Sequence, residues 1–259
     1  MDLGLSGKYA LVTGGSHGIG RAIALALADE GCNVAICARN EQRIDEVVKE
    51  ITHNANGIGI KADTTNPQDI ERVVDIINST WGRLHILINN VGGGGSWGSD
   101  DVEQTSENVW QEVYDKNVTA AIRFTMRCLP LMRKEKWGRV VTVSSTCGRE
   151  AGGRPWYSMA KSAQISFMKS LSIKHNLVRD GITFNSVAPG QIMIPDTGLD
   201  RKQKDDPAGF NKFVLDNFPL GRMGSPEEVA NVVTFICSDK AQLLNGASIV
   251  IDGGQSRIL

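Results

Sequence analysis

The sequence predicts a single α/β domain, a doubly wound parallel sheet of seven strands with helices on both faces. Three features point there. Short β-rich runs alternate with longer helix-period stretches, each β-rich run is nearly all apolar, and 259 residues is a length that one α/β core reaches. Strands buried on both faces lose the apolar/polar alternation of a half-exposed sheet, and each parallel pair needs a crossover, usually a helix.

Taken in order, the first strand is Tyr9-Ala10-Leu11-Val12-Thr13, followed by a helix from about Gly18. The second, Asn33 to Ala38, leads into a helix from about Glu41, and the third, Ile58 to Ala62, precedes a helix after Pro67. The fourth strand, Leu84 to Ile88, is followed by a long helical stretch through Val109, Val113, Val118, Ile122 and Met126. A fifth strand, Arg139 to Ser144, a helix from about Tyr157, a strand from Ile182 to Ala188 and a last strand from Ser248 to Ile251 complete the sheet. Right-handed crossovers gather ligands outside the C-terminal ends of such strands. Between positions 190 and 226 the rhythm stops: Pro195, Gly198, Pro207, Gly209, Pro219, Gly221 and Gly224 punctuate a stretch holding Phe210, Phe213 and Phe218. At the active edge of the sheet, that segment is expected to be a substrate-binding loop or lid, a plain surface connection being the alternative.

Composition narrows the function. With 28 basic against 29 acidic side chains and 41% apolar residues, the chain is globular and carries no electrostatic footprint for nucleic acid. The longest apolar run, Ala22 to Ala28, is far short of the ~20 residues that span a bilayer. The first residues lack a basic start followed by an apolar core, so the cytoplasm is the expected compartment. Five cysteines without a C-x-x-C and four scattered histidines indicate neither a disulfide framework nor a metal site.

The first strand runs into Thr13-Gly14-Gly15-Ser16-His17-Gly18-Ile19-Gly20, which opens a helix. The start of a helix offers unpaired N–H groups and partial positive charge, and residues without Cβ let phosphate approach the backbone closely. This glycine spacing, Asn89-Asn90-Val91-Gly92 after the fourth strand, Asn117 in a Lys-Asn-Val context, Tyr157-Ser158-Met159-Ala160-Lys161, Val187-Ala188-Pro189-Gly190 and Ile251-Asp252-Gly253-Gly254 follow one another in order. Together they resemble the short-chain dehydrogenase/reductase family, including its 3-oxoacyl-[acyl-carrier-protein] reductase-like members, over nearly the whole chain. The resemblance implies one NAD(P)-binding Rossmann-type domain over 1–259, with Gly14, Ser16, His17, Gly18, Ile19 and Gly20 at the cofactor phosphates. It further implies Asp63 at adenine, Asn90 and Gly92 near a ribose, and Pro189, Gly190 and Ile192 along the cofactor. After Pro189-Gly190 the family pattern keeps Ile192 but has a Thr where Ile194 stands, and Thr197 is a candidate replacement.

The second strand ends at Ala38-Arg39, where an NAD-selective site places a carboxylate on the ribose hydroxyls. A guanidinium there suits a 2′-phosphate, so NADP(H) is the expected cofactor, with NAD(H) as the second choice. His17 is a further candidate donor.

Tyr157 and Lys161 lie four residues apart, on one face of a helix. A phenol titrates near 10 in water, and an ammonium one turn away would lower it into a useful range. The resemblance makes Tyr157 the proton donor or acceptor, with Lys161 tuning it and holding the ribose. Ser144 and Ser145 are both candidates for a hydroxyl that stabilises developing negative charge on the substrate oxygen. Alignment to the family pattern favours Ser145, although its interval to Tyr157 is one residue short of the family's and Ser144 matches it. Asn117 completes the family tetrad, where its role is to hold a water that links the lysine to solvent. Arg149 and Arg154 are candidates for pairing with an acidic substrate, beside Glu150, Trp156 and the run Gly92 to Trp97.

The expected activity is therefore hydride transfer between nicotinamide and a carbonyl or secondary alcohol, such as a 3-oxoacyl thioester or a keto-sugar. Two alternatives keep the same fold: an epimerase or dehydratase without net redox change, and a nucleotide-sensing interaction module. The expected partners are a small-molecule substrate and further copies of the chain in a homodimer or homotetramer, with neither nucleic acid nor membrane.

Overall fold

The computed structural model describes residues 1–257. Its centre is a seven-stranded parallel sheet in the order β3-β2-β1-β4-β5-β6-β7. The strands are β1 Tyr9–Thr13, β2 Asn33–Ala38, β3 Gly57–Lys61, β4 Ile86–Asn89, β5 Gly138–Val143, β6 Ile182–Pro189 and β7 Ser248–Ile251. Successive side chains point to opposite faces, and this alternation divides the apolar interior in two. Ala10, Val12, Val34, Ile36, Ile86, Ile88, Val141 and Val143 pack on one side with helix α1 (Gly18–Asp29) and helix α10 (Pro226–Cys237). Leu11, Ala35, Cys37, Leu87 and Val140 pack on the other, against α3 (Pro67–Trp81), α5 (Ala120–Glu135) and α6 (Pro155–Ser172). Helix α2 (Glu41–Ile51) contributes Ile44, Val47 and Ile51 to the first side. The edge strands β3 and β7 are only partly buried, the expected cost of having one neighbour.

The chain winds outward from β1 to β3 and then returns to place β4 beside β1. The crevice at this reversal of direction opens outside the C-terminal ends of β1 and β4 and is where a ligand can enter.

Two segments depart from the sequence reading. The helical stretch after β4 is α4 (Glu107–Tyr114), one turn of π-helix at Asp115–Thr119, and α5, in sequence without a break. The wide turn frees the Val113 carbonyl, and the Asn117 side chain satisfies it through Nδ2 at 2.7 Å. The segment 190–226 is not irregular: it holds α8 (Gly198–Asp205) and α9 (Pro207–Asn217), beyond the short helix α7 (His175–Val178). Pro207 occupies the first turn of α9 and Asp206 caps it, so this proline starts a helix rather than breaking one. Phe210, Val214, Phe218 and Met223 form a small apolar cluster of their own there. Among the described residues, no helix is long and apolar enough to cross a membrane.

At the opposite end of the sheet, His85 is buried, stacks on Tyr9 and accepts the Tyr9 N–H through Nδ1 at 3.1 Å. Burial takes its imidazolium down from 6.5 to about 4, helped by Lys8 and opposed by Glu135. The folded chain thus binds fewer protons than the unfolded chain between those values, so stability falls as pH drops through that window. The thermal midpoint is expected to fall between pH 6.5 and 4, with up to about 3 kcal/mol of the loss due to this group. Calorimetry of His85→Asn, which keeps an acceptor but cannot titrate, should show a shallower slope; an unchanged slope would exclude His85 as the cause.

Candidate active site

β1 ends at Thr13, whose Oγ1 accepts the N–H groups of Asn90 (3.0 Å) and Val91 (3.2 Å). The Asn90 amide in turn donates to the carbonyls of Thr13 (2.9 Å) and Gly14 (3.3 Å). These bonds tie the ends of β1 and β4 together and shape the turn through Gly14, which has φ +65°. A Cβ at Gly20 would collide with the Gly14 carbonyl and the Asn90 amide, so glycine is what lets α1 start this close to the sheet. His17 is the N-cap residue of α1, yet its side chain caps nothing, and no acid lies in the first turn. The N–H groups and dipole of that helix end remain available for an anion.

A cavity of about 640 Å³ opens in front of this turn, lined by Gly14, Ser16, His17, Arg39, Asp63 and Gly92 among others. Arg39 is exposed there and makes no hydrogen bond or ion pair among the described residues. Asp63 accepts the Thr65 N–H and hydroxyl at 2.9 and 2.8 Å; these bonds, with the Arg39 charge behind them, hold its carboxyl below the usual range. Arg43 also lines the cavity but is paired with Asp196 at 3.2 Å. An uncapped helix start, a glycine-rich turn and a guanidinium at the far wall fit a phosphate-bearing dinucleotide.

Not every residue implied for the cofactor faces this cavity. Ile19 packs on the apolar core, and Ile192 is buried in it, bridging to Gly224. Pro189 is buried at the end of β6, and the Gly190 N–H is taken by the Ile251 carbonyl. A Cβ at Gly18 would meet Ile194, so that residue lies against the phosphate turn. Thr197 donates its hydroxyl to the Ile194 carbonyl at 2.7 Å and is used inside its own loop.

The catalytic candidates come from three elements. The two serines that follow β5 diverge: the Ser144 hydroxyl turns into α6 and donates to the Lys161 carbonyl at 2.8 Å, whereas Ser145 Oγ accepts the Cys147 N–H at 3.2 Å and faces the Tyr157 phenol. Ser145 is therefore the serine brought to the tyrosine. Lys161 is 3% exposed, and its Nζ donates to the Val143 carbonyl and to Gln164 Oε1, both at 3.0 Å. The Nζ lies 5.6 Å from the centre of the Tyr157 ring. On the π turn, Asn117 is fully buried; its side chain grips both the N–H (3.2 Å) and the carbonyl (2.8 Å) of Gly93. Its main-chain carbonyl accepts Gln164 Nε2 at 2.7 Å.

The electrostatics correct one expectation. Loss of water contact pushes the Tyr157 phenol up to about 12, and the Ser145 bond opposes this only in part. Burial brings the Lys161 ammonium down from 10.5 to about 7. The amine is held on Val143 and Gln164 rather than on the phenol, so proximity along the helix does not by itself lower the tyrosine.

The arginines are also differently used. Arg154 donates to the carbonyls of Trp97 and Gly98 and pairs with Asp100 at 2.6 Å, pinning the loop after β4 to the start of α6. This commits it to structure rather than to an acidic substrate. Arg149 donates to the Ser248 carbonyl on β7 at 2.9 Å. Three residues escaped the sequence reading: Thr13 as a clasp, Ser144 as a helix anchor, and Gln164 as a link. Gln164 follows Lys161 by three positions, a same-face spacing that pointed to it.

A family model described as enoyl-(acyl carrier protein) reductase matches residues 14–256. The chain is 35% identical to a 3-oxoacyl-[acyl-carrier-protein] reductase of Escherichia coli K12, covering 97% of this chain and 98% of that protein. It is 36% identical to a cyclohexanol dehydrogenase of Rhodococcus sp. TK6, covering 98% and 97%. Among solved structures, L-sorbose reductase from Gluconobacter frateurii, complexed with NADPH and L-sorbose, superposes with a TM-score of 0.92 at 30% identity over all of both chains. Motif order, sheet topology and site geometry agree with these matches, and the chain belongs to the short-chain dehydrogenase/reductase family of oxidoreductases.

Proposed function

We propose that this chain is an NADP(H)-dependent carbonyl reductase that also oxidises the corresponding alcohol. The observation that carries this reading is the gathering of Ser145, Tyr157 and Lys161, with Lys161 Nζ against Gly92, a residue that lines the cavity running to Arg39. When bound, the cofactor supplies or accepts hydride at nicotinamide C4. The chain manages the proton. Tyr157 gives its hydroxyl proton to the carbonyl oxygen in reduction and takes one from the alcohol in oxidation, while Ser145 donates a hydrogen bond to the same oxygen as charge develops. A phenol near 12 is a weak acid, so the Lys161 charge is needed to stabilise the phenolate left behind.

Ala38 and Arg39 favour NADP(H): no carboxylate repels a 2′-phosphate, and an exposed guanidinium can bind it. NAD(H) lacks that phosphate and is accepted as the weaker cofactor. The substrate is a ketone or aldehyde, with 3-oxoacyl thioesters and keto-sugars foremost, and the relatives' names support both classes. The segment 190–226 is its lid; the groove between α8 and α9, lined by Leu199, Phe210 and Phe213, supplies an apolar wall. Assembly into a homodimer or homotetramer would cover the exposed Met126 and Met159 on the helices that follow Asn117 and carry Tyr157.

Tyr157→Phe is expected to lower the rate of NADPH oxidation with a ketone by about 10²-fold or more, followed at 340 nm. Undiminished turnover, or substrate conversion without cofactor consumption, would overturn the redox reading. Arg39→Ala should raise the KM for NADPH by roughly tenfold and leave that for NADH nearly unchanged; equal effects on both would remove the role given to the guanidinium. Size-exclusion with light scattering should report a mass two or four times that of the chain.

A further inference from the structure

Gln164 lies on the inner face of α6 and is 1% exposed. Its carbonyl oxygen accepts from Lys161 Nζ at 3.0 Å, and its NH2 donates to the main-chain carbonyl of Asn117 at 2.7 Å. The amide orientation is fixed by chemistry, since the flipped form would set NH2 against an ammonium and oxygen against a carbonyl. One buried side chain therefore bridges α6 to the π turn, with both bonds out of water, where leaving either unmade is costly.

We propose that Gln164 is a positioning residue for the reaction, a buried amide strut that sets where the Lys161 ammonium stands relative to Tyr157 and joins it directly to Asn117. This rests on the reductase reading of the same site. A bridging water hands protons on by exchanging donor and acceptor roles. A primary amide does not, because transfer through it would require the imidic acid form. The contact consequently holds Lys161 in place without passing its proton to the Asn117 carbonyl. The other ionisable groups facing Lys161 are Tyr157 on its own helix, Cys147 from the turn after β5 and Lys116 from the π turn. Cys147 favours the ammonium and Lys116 opposes it. Gln164 adds the one neutral side-chain acceptor among the described hydrogen bonds of Nζ.

The test compares Gln164→Met, which removes both bonds, with Gln164→Glu, which keeps an acceptor on Lys161, adds charge and cannot donate to Asn117. Steady-state rates would be measured against pH with NADPH and a ketone panel of cyclohexanone, L-sorbose and acetoacetyl-CoA. Gln164→Met should lower kcat at least about tenfold with KM for the ketone within about twofold, and move the high-pH fall of kcat to lower pH. Gln164→Glu should move that fall to higher pH. A second readout needs no substrate. The folded lysine titrates near 7 and the unfolded one near 10.5, so the wild-type thermal midpoint should gain a rising contribution between those pH values. That contribution should grow in Gln164→Met and shrink in Gln164→Glu. If both variants keep the wild-type pH dependence in both readouts and differ only by a uniform loss of stability, the side chain is packing and the proposal fails. Should Gln164→Met not fold, the isosteric Glu variant decides alone by the direction of its shifts. A Tyr157→Phe enzyme with full turnover would instead sink the reductase reading, while the stability profiles would still judge Gln164.

Discussion

The site is organised around one expensive act, the enclosure of the Lys161 ammonium between sheet, helix and π turn. Removing an ammonium from water costs several kcal/mol unless other groups take over its solvation. Val143 and Gln164 do so in part, and the surrounding backbone is shaped to allow it. A Cβ at Gly92 would stand 2.9 Å from Lys161 Nζ and 2.7 Å from Asn117 Oδ1, and one at Gly148 would stand 2.7 Å from the Lys161 carbonyl carbon. The Ser144 hydroxyl secures the same carbonyl. Glycines and a strand-end serine are thus explained by the volume and polarity of one side chain.

The phosphate end and the catalytic end are joined through the reversal point of the sheet. Thr13 and Asn90 lock β1 to β4, and from β4 the chain continues through Gly92 and Gly93 to the Asn117 amide. The turn that receives phosphate and the residues that hold the lysine are therefore a few residues apart along a single clamped segment. A geometric error at either end would be transmitted to the other with little slack.

The inner strands were legible because strands buried on both faces are largely apolar runs, the partly buried edge strands β3 and β7 through their place in the strand–helix alternation, and the observed bounds differ from the read ones by only a residue or two at most ends. Tyr157, Lys161 and the glycine turn were legible because their spacing ties chemistry to a helix face or a helix start. The π turn shows in the sequence only as a five-residue step from Val113 to Val118 between four-residue steps, which a loose helical stripe absorbs unless the phase is counted. Helices α8 and α9 were hidden by prolines that read as punctuation but occupy first turns or flank helix ends. Gln164 shares the Lys161 face by its three-residue spacing, but its place beside Ser162 and Ser166 also suits a solvent face, and the fold decides that it points inward. The lowered phenol was an inference from sequence distance; in three dimensions burial and the direction of the amine count for more.

The π turn at Asp115–Thr119 carries a further consequence. One residue of an α-helix corresponds to about 100° of rotation, so the extra residue sets the angular phase between α4 and α5. The face of α4 that meets α6 and the face of α5 that meets α3 are aligned only with that offset in place. Between Val113 and Ala120 the chain should consequently tolerate exchange of side chains far better than a change of length, because a single-residue deletion would turn an entire helix away from its neighbours while leaving every remaining amino acid the same.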